Sequence, residues 1–205
     1  MATPFRIVAA ALGWFALALQ FSLQLAPDIA PWSPAHALRF FSFFTILSNI
    51  LVALTLTLPV LAPRSAGGAF FARPTVRTAV ASYIVIVFVI YHWLLAGLRD
   101  PQGLAWVADA LLHKVMPIAY VLDWLLFVPK GSLIARRVLP WLVFPLAYVV
   151  FALIQGAING FYPYPFINAA KLGYASVFLN ALGITCMFAV LGLLFVAIDR
   201  ALDRR

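Results

Sequence analysis

A bundle of six transmembrane helices is the fold that this sequence predicts, and three observations predict it. The 205 residues are 65% hydrophobic and only 10% charged, where a soluble domain carries about a quarter charged residues. The apolar residues fall into six long blocks, each supplying roughly the 20 residues needed to cross a hydrocarbon layer about 30 Å thick. The basic residues collect in the short stretches between blocks, on alternate sides.

The blocks run approximately Phe5–Leu25, Phe40–Leu61, Val76–Leu98, Leu104–Val128, Val138–Ile158 and Tyr174–Ile198. The first contains Arg6 and could be a signal peptide, but its apolar stretch is too long and lacks a small-x-small cleavage pattern, so it reads as an uncleaved span. The fourth is the least clean, because it contains Asp109, His113, Lys114 and Asp123. Turn chemistry separates the blocks: Pro27, Pro31 and Pro34; Pro63 with Gly67 and Gly68; Asp100-Pro101; Pro129-Lys130-Gly131; and Pro163 with Pro165. No internal repeat is visible and no segment reads as a separate soluble domain, so residues 1–205 are expected to form one transmembrane domain.

Lys and Arg set the expected orientation. Arg6, the loop with Arg64, Arg73 and Arg77, the loop with Lys130, Arg136 and Arg137, and the end with Arg200, Arg204 and Arg205 place ten on one side. Arg39, Arg99 and Lys171 place three on the other, with Lys114 inside a span. The split predicts both termini on the cytoplasmic side, and for a bacterial chain that means the inner membrane. The net charge of +8 is thereby assigned to topology, and nucleic acid is not an expected partner.

Composition also excludes chemistry. The chain has no Glu, so an HExxH zinc motif is absent, and its one cysteine, Cys186, excludes an internal disulfide and a cysteine-built metal site. There is no G-x-S-x-G elbow, P-loop or dinucleotide fingerprint. No metal or organic cofactor is called for.

The polar residues inside the spans are the informative ones, because such groups are costly at membrane depth and normally face the bundle interior. Arg39, Ser42, Thr45 and Asn49 are spaced three, three and four apart, which on a continuous helix sets them on one face. His92 lies near the outer end of the third block, Asp109 and His113 are four apart in the outer half of the fourth, and Asn180 is in the outer half of the sixth. Gln155 and Asn159 end the fifth. The expectation is a polar pocket opening toward the outer leaflet. An Asp one turn from a His orients the ring and raises its basicity, as general-base chemistry requires. Taken singly, Ser42, Thr45 and Ser48 are better explained by hydrogen bonds to the preceding helical turn or between helices, and His92 by its place near the interface. Lys114 points away from His113, toward an acid or the interface, and Asp123 suits a helix–helix hydrogen bond. Gly156-x-x-x-Gly160 resembles the small-residue packing motif.

Three segments resemble a known family. Arg39-Phe-Phe-Ser42-Phe-Phe-Thr45-Ile-Leu-Ser-Asn49 is similar to its basic–aromatic–x–Thr pattern with polar residues three and seven positions later. His113, followed by a Pro and by Asp123 ten positions on, is similar to its His…Pro…acid pattern, and Gly160-Phe-Tyr-Pro-Tyr164-Pro165-Phe166 to its Gly-x-Trp-x-Tyr-Pro-Phe loop. In that order they resemble a bacterial member of the androgen-induced membrane protein family, which includes the androgen-dependent regulator of tissue factor pathway inhibitor. The resemblance spans about residues 39–166. It implies six spans and hydrolysis of fatty acid esters of hydroxy fatty acids by an intramembrane threonine and histidine. The histidine carries over to His113. Without a gap the threonine position is taken by Ser42, whereas Thr45 has the right side chain three residues later; Tyr162 takes the Trp position.

The leading expectation is therefore a membrane-embedded lipid esterase that takes a fatty acyl ester from the bilayer. Ser42 or Thr45 is the nucleophile, His113 the base and Asp109 its orienting partner. Asn49, Asn180 or Lys114 is then the oxyanion donor, with Arg39, His92 and Tyr164 around the pocket. The alternatives are a transporter or proton relay built on Asp109, His113 and Lys114, a haem protein ligated by His92 and His113, and a membrane protein with no catalytic role.

Overall fold

The computed structural model describes residues 1–25, 34–98 and 100–203, and among these it is helical with no strand. Among the described residues six helices are long and apolar enough to cross a membrane: Ala2–Gln24, Phe44–Leu61, Pro74–Leu98, Gly103–Phe127, Ala135–Asn159 and Ala169–Ala201, the first to sixth spans. Of the turn and charge signals read from the sequence, Pro27, Pro31, Arg99, Arg204 and Arg205 lie outside the described residues. The chain divides into two compact units, Met1–Pro129 with the first four spans and Lys130–Arg205 with the last two.

In the first unit, prolines decide where polar side chains go. A proline inside a helix has no N–H to give to the carbonyl one turn back, and in hydrocarbon an unpaired carbonyl must find a donor within the protein. Pro59 leaves the Thr55 carbonyl without its i+4 donor, and Arg77 of the third span donates to it from Nη1 at 3.2 Å. Pro117 acts likewise in the fourth span. Ahead of it the helix widens into a π-turn, Leu111–Val115, in which Met116 N–H reaches back to the Leu111 carbonyl. In that register the donor for Leu112 would be the N–H of residue 117, which proline lacks. Asn49 of the second span supplies the donor instead, its Nδ2 lying 3.1 Å from the Leu112 carbonyl and 2.9 Å from that of Thr45.

One end of this unit is tied by a buried ion cluster. Asp123 is fully enclosed and accepts from Arg6 Nε at 2.7 Å and from an Arg77 guanidinium nitrogen. Arg6 opens the first span, Arg77 lies in the first turns of the third and Asp123 near the end of the fourth, so these three ends lie together. Beside them Trp124 donates to Thr78 at 2.8 Å, and Thr78 donates to the Pro74 carbonyl at 2.7 Å. Two arginines counted toward topology are thus also internal partners of an acid; Asp123 does anchor helices, through ion pairs.

The second span begins later than its apolar block. A short helix, Pro34–Phe41, ends where Ser42 N–H bonds to the Arg39 carbonyl and Phe43 N–H to that of Phe40, tightening the last turn. Phe43 is extended, with ψ 128°, and the span restarts at Phe44. The helix is therefore not continuous from Arg39 to Asn49, and the single polar face expected there holds only from Thr45 onward.

In the second unit, Asp199 of the sixth span accepts from the N–H groups of Gly131 (3.0 Å) and Leu133 (2.9 Å), pinning the segment ahead of the fifth span. The fifth span stops at Gly160, whose φ of 74° places it in the left-handed region and whose N–H bonds to the Gly156 carbonyl. A Cβ on Gly156 would overlap the Tyr162 ring. Both glycines of the Gly-x-x-x-Gly pattern thus serve the following loop. The sixth span turns sharply at Gly173 (φ 74°, ψ 156°), so its straight part begins at Tyr174, where its apolar block begins.

Candidate functional site

The third and fourth spans each contain a π-turn, Tyr91–Leu95 and Leu111–Val115. Such turns rotate side chains out of regular register and recur at functional sites. Here the two bring Tyr91 and His113 face to face, their rings stacked at 3.9 Å between centroids and 16° between planes.

His113 is held on one side only. Its Nδ1 lies 3.2 Å from Asp109 Oδ1 and 3.1 Å from the Asp109 backbone carbonyl, both acceptors, so Nδ1 carries the hydrogen. The other carboxylate oxygen of Asp109 accepts the Tyr91 hydroxyl. The Nε2 of His113 makes no hydrogen bond among the described residues, and the side chain keeps 16% of its surface exposed. The result is an imidazole with a fixed tautomer, a clamped plane and an open lone pair, the arrangement a general base needs. The sequence paired Asp109 with His113; it missed Tyr91, which only the meeting of two spans brings to the pair.

Among the described residues, neither the Ser42 nor the Thr45 hydroxyl bonds to His113. Ser42 is fully buried and donates to the Leu38 carbonyl at 2.8 Å. Thr45 is buried in the first turn of the second span, and its carbonyl accepts from Asn49. Through the Asn49–Leu112 bond, the turn that begins at Thr45 is fastened to the residue before His113. Both amide hydrogens of Asn49 are committed to carbonyls, so it has none to offer an oxyanion, while its Oδ1 and the neighbouring Ser48 Oγ are buried without partners.

The remaining expected residues have separate places. His92 is exposed, with Nδ1 2.8 Å from the Phe88 carbonyl. The Tyr91 ring touches both imidazoles, at 3.9 Å for His113 and 5.1 Å for His92. Lys114 is exposed on the fourth span and Arg39 is exposed in the last turn of the short helix. Tyr164 and Asn180 belong to the second unit. Tyr164 is buried and stacks on Phe166, and Asn180 donates to the Phe166 carbonyl at 2.8 Å, so both hold the aromatic loop in shape. Among the described residues no cluster of three or more His, Cys, Asp or Glu stands ready to hold a metal ion.

No protein-family model, curated protein or solved structure matches this chain.

Proposed function

We propose that the chain is a membrane-embedded hydrolase of fatty acyl esters in which His113 is the general base. One observation carries the reading: Asp109 fixes the hydrogen of His113 on Nδ1 and leaves Nε2 open within a span. Nε2 takes the proton of the nucleophilic hydroxyl as its oxygen attacks the ester carbonyl carbon. The protonated imidazole then gives that proton to the departing alcohol oxygen as the ester C–O bond breaks. Water, activated by the same Nε2, releases the acid from the resulting acyl-enzyme.

Thr45 is the better nucleophile of the two candidates. The Ser42 side chain is wholly enclosed. Thr45 keeps a small exposed fraction and sits one turn from the bond that fastens the second span beside His113. Direct contact between nucleophile and base commonly tightens only once substrate is bound. The count of basic residues supports cytoplasmic termini and a site in the outer half of the bilayer, and the resemblance across residues 39–166 supports the ester class and a bacterial inner membrane.

A purified preparation in detergent, given a long-chain acyl ester, is expected to release fatty acid. His113→Ala is expected to lower the rate by about 10²–10⁴-fold, the usual worth of a general base. Full activity in that variant would overturn the reading.

A second reading has its own observation. Ser48, Asn49, Thr55, Thr78 and Ser82 are buried along the first unit, whose ends carry Asp109 and Asp123. Polar interiors of this kind also serve proton relays. Substrate-dependent proton uptake by liposomes without ester turnover would favour transport.

A further inference from the structure

The first and second spans pack closely, yet a hollow of about 190 Å³ is left open on their outward side. Its origin is a size step in the sequence. Along one face of the first span Ile7 and Trp14 are large, whereas Ala10 and Ala11 between them are small, so the wall is scooped between two bulky ends. Thr57 and Leu61 form part of the opposite wall. Trp14 closes the upper end by donating from Nε1 to Thr57 Oγ1 at 3.0 Å, which satisfies the two polar groups that would otherwise meet hydrocarbon. The hollow is smaller than the roughly 300–1,000 Å³ of pockets that enclose a whole small ligand. Its apolar lining on the flank of two spans suits a length of acyl chain.

The lower end supplies charge. Leu61 lines the hollow and ends the second span; three residues on, Arg64 is exposed. The short helix Ala66–Ala72 follows, capped by Ser65, with Phe70 exposed and the Arg73 guanidinium 5.7 Å from its ring centre. Arg6, next to Ile7, and Arg77 share the single carboxylate of Asp123. Four arginines and one aspartate therefore mark this end of the first unit among its described residues. Basic groups beside a groove between spans recognise anionic lipid head groups.

We propose that this hollow is a binding site for one acyl chain of an anionic phospholipid whose phosphate lies against Arg64 and Arg73. The tail fills the gap over Ala10 and Ala11, and the head sits at the level where Phe70 meets the interface. The site is separate from the Asp109–His113 pair, which lies toward the opposite ends of the third and fourth spans.

Native mass spectrometry of the full chain tests this, with phosphatidylglycerol and phosphatidylcholine of identical tails as probes. The wild type is expected to retain phosphatidylglycerol at least several-fold better than phosphatidylcholine. Arg64→Gln with Arg73→Gln, both on exposed positions, is expected to abolish that preference. Ala11→Phe, which fills the hollow, is expected to lose both lipids. If Ala11→Phe does not fold, the arginine pair decides alone. Equal retention of the two lipids by the wild type, or an undiminished preference in the arginine variant, overturns the proposal, as does undiminished retention by folded Ala11→Phe.

Discussion

Asn49 donates to the carbonyl of Leu112 at 3.1 Å, and the bond exists because Pro117 has no hydrogen to give. A single proline thereby explains the π-turn, the polar residue on the neighbouring span and the fastening of the second span beside His113. The same logic joins Pro59, the Thr55 carbonyl and Arg77. In both cases, a carbonyl released inside one span is satisfied by a side chain from another.

Asn49→Ala strands the Leu112 carbonyl in a dry interior and is expected to cost about 1–3 kcal/mol. In a Pro117→Ala background, residue 117 can donate for itself, so the same change is expected to cost less. Unfolding of the four variants in detergent gives the coupling directly. Equal costs in the two backgrounds would contradict the proline account.

Removing Asp123 leaves two guanidinium groups without their carboxylate. Asp123→Ala is expected to destabilise by about 3–5 kcal/mol, the usual range for breaking a buried pair. Arg6→Ala is expected to cost less, because its side chain is 17% exposed and water screens what remains. A thermal unfolding series that ranks Arg6→Ala as the more damaging change would contradict this picture.

The hydrogen on His113 Nδ1 has two acceptors, the Asp109 carboxylate and the Asp109 backbone carbonyl. Asp109→Ala keeps the second, so the tautomer survives. Asp109→Asn can present an amide hydrogen to Nδ1 and move the imidazole hydrogen to Nε2, where it blocks the base. Ester hydrolysis is therefore expected to fall further in the Asn variant than in the Ala variant, approaching a loss on the order of 10²–10⁴-fold. The reverse ranking in a steady-state assay would argue against tautomer control.

Asp199 accepts from two backbone N–H groups, Gly131 and Leu133. Asp199→Ala is expected to speed hydrogen exchange at those two amides while leaving the body of the sixth span protected. Unchanged exchange at Gly131 and Leu133 would show that the segment is held by something else.

The spans were legible in the sequence because hydropathy over about 20 residues is a strong signal, and the Asp109–His113 pair because i, i+4 spacing is local. Two kinds of feature were not legible. Contacts between spans leave no trace in spacing, so the sequence does not show Tyr91 beside His113, and in it Arg6 and Arg77 look like loop charges though both reach Asp123. Departures from regular helix also escaped: the break at Ser42–Phe43 undid the continuous face from Arg39, and the two π-turns were not foreseen. Pro117 was a signal within reach, since its missing N–H implies a carbonyl in need of a donor.

The base assigned to His113 is tested most directly by labelling with a long-chain alkyl fluorophosphonate, which captures a hydroxyl only when a neighbouring base activates it. Mass spectrometry of the labelled chain is predicted to find one adduct, on Thr45, that disappears in His113→Ala while the variant stays folded. Labelling of equal extent in His113→Ala, or no adduct on any residue of the second span, would contradict the account.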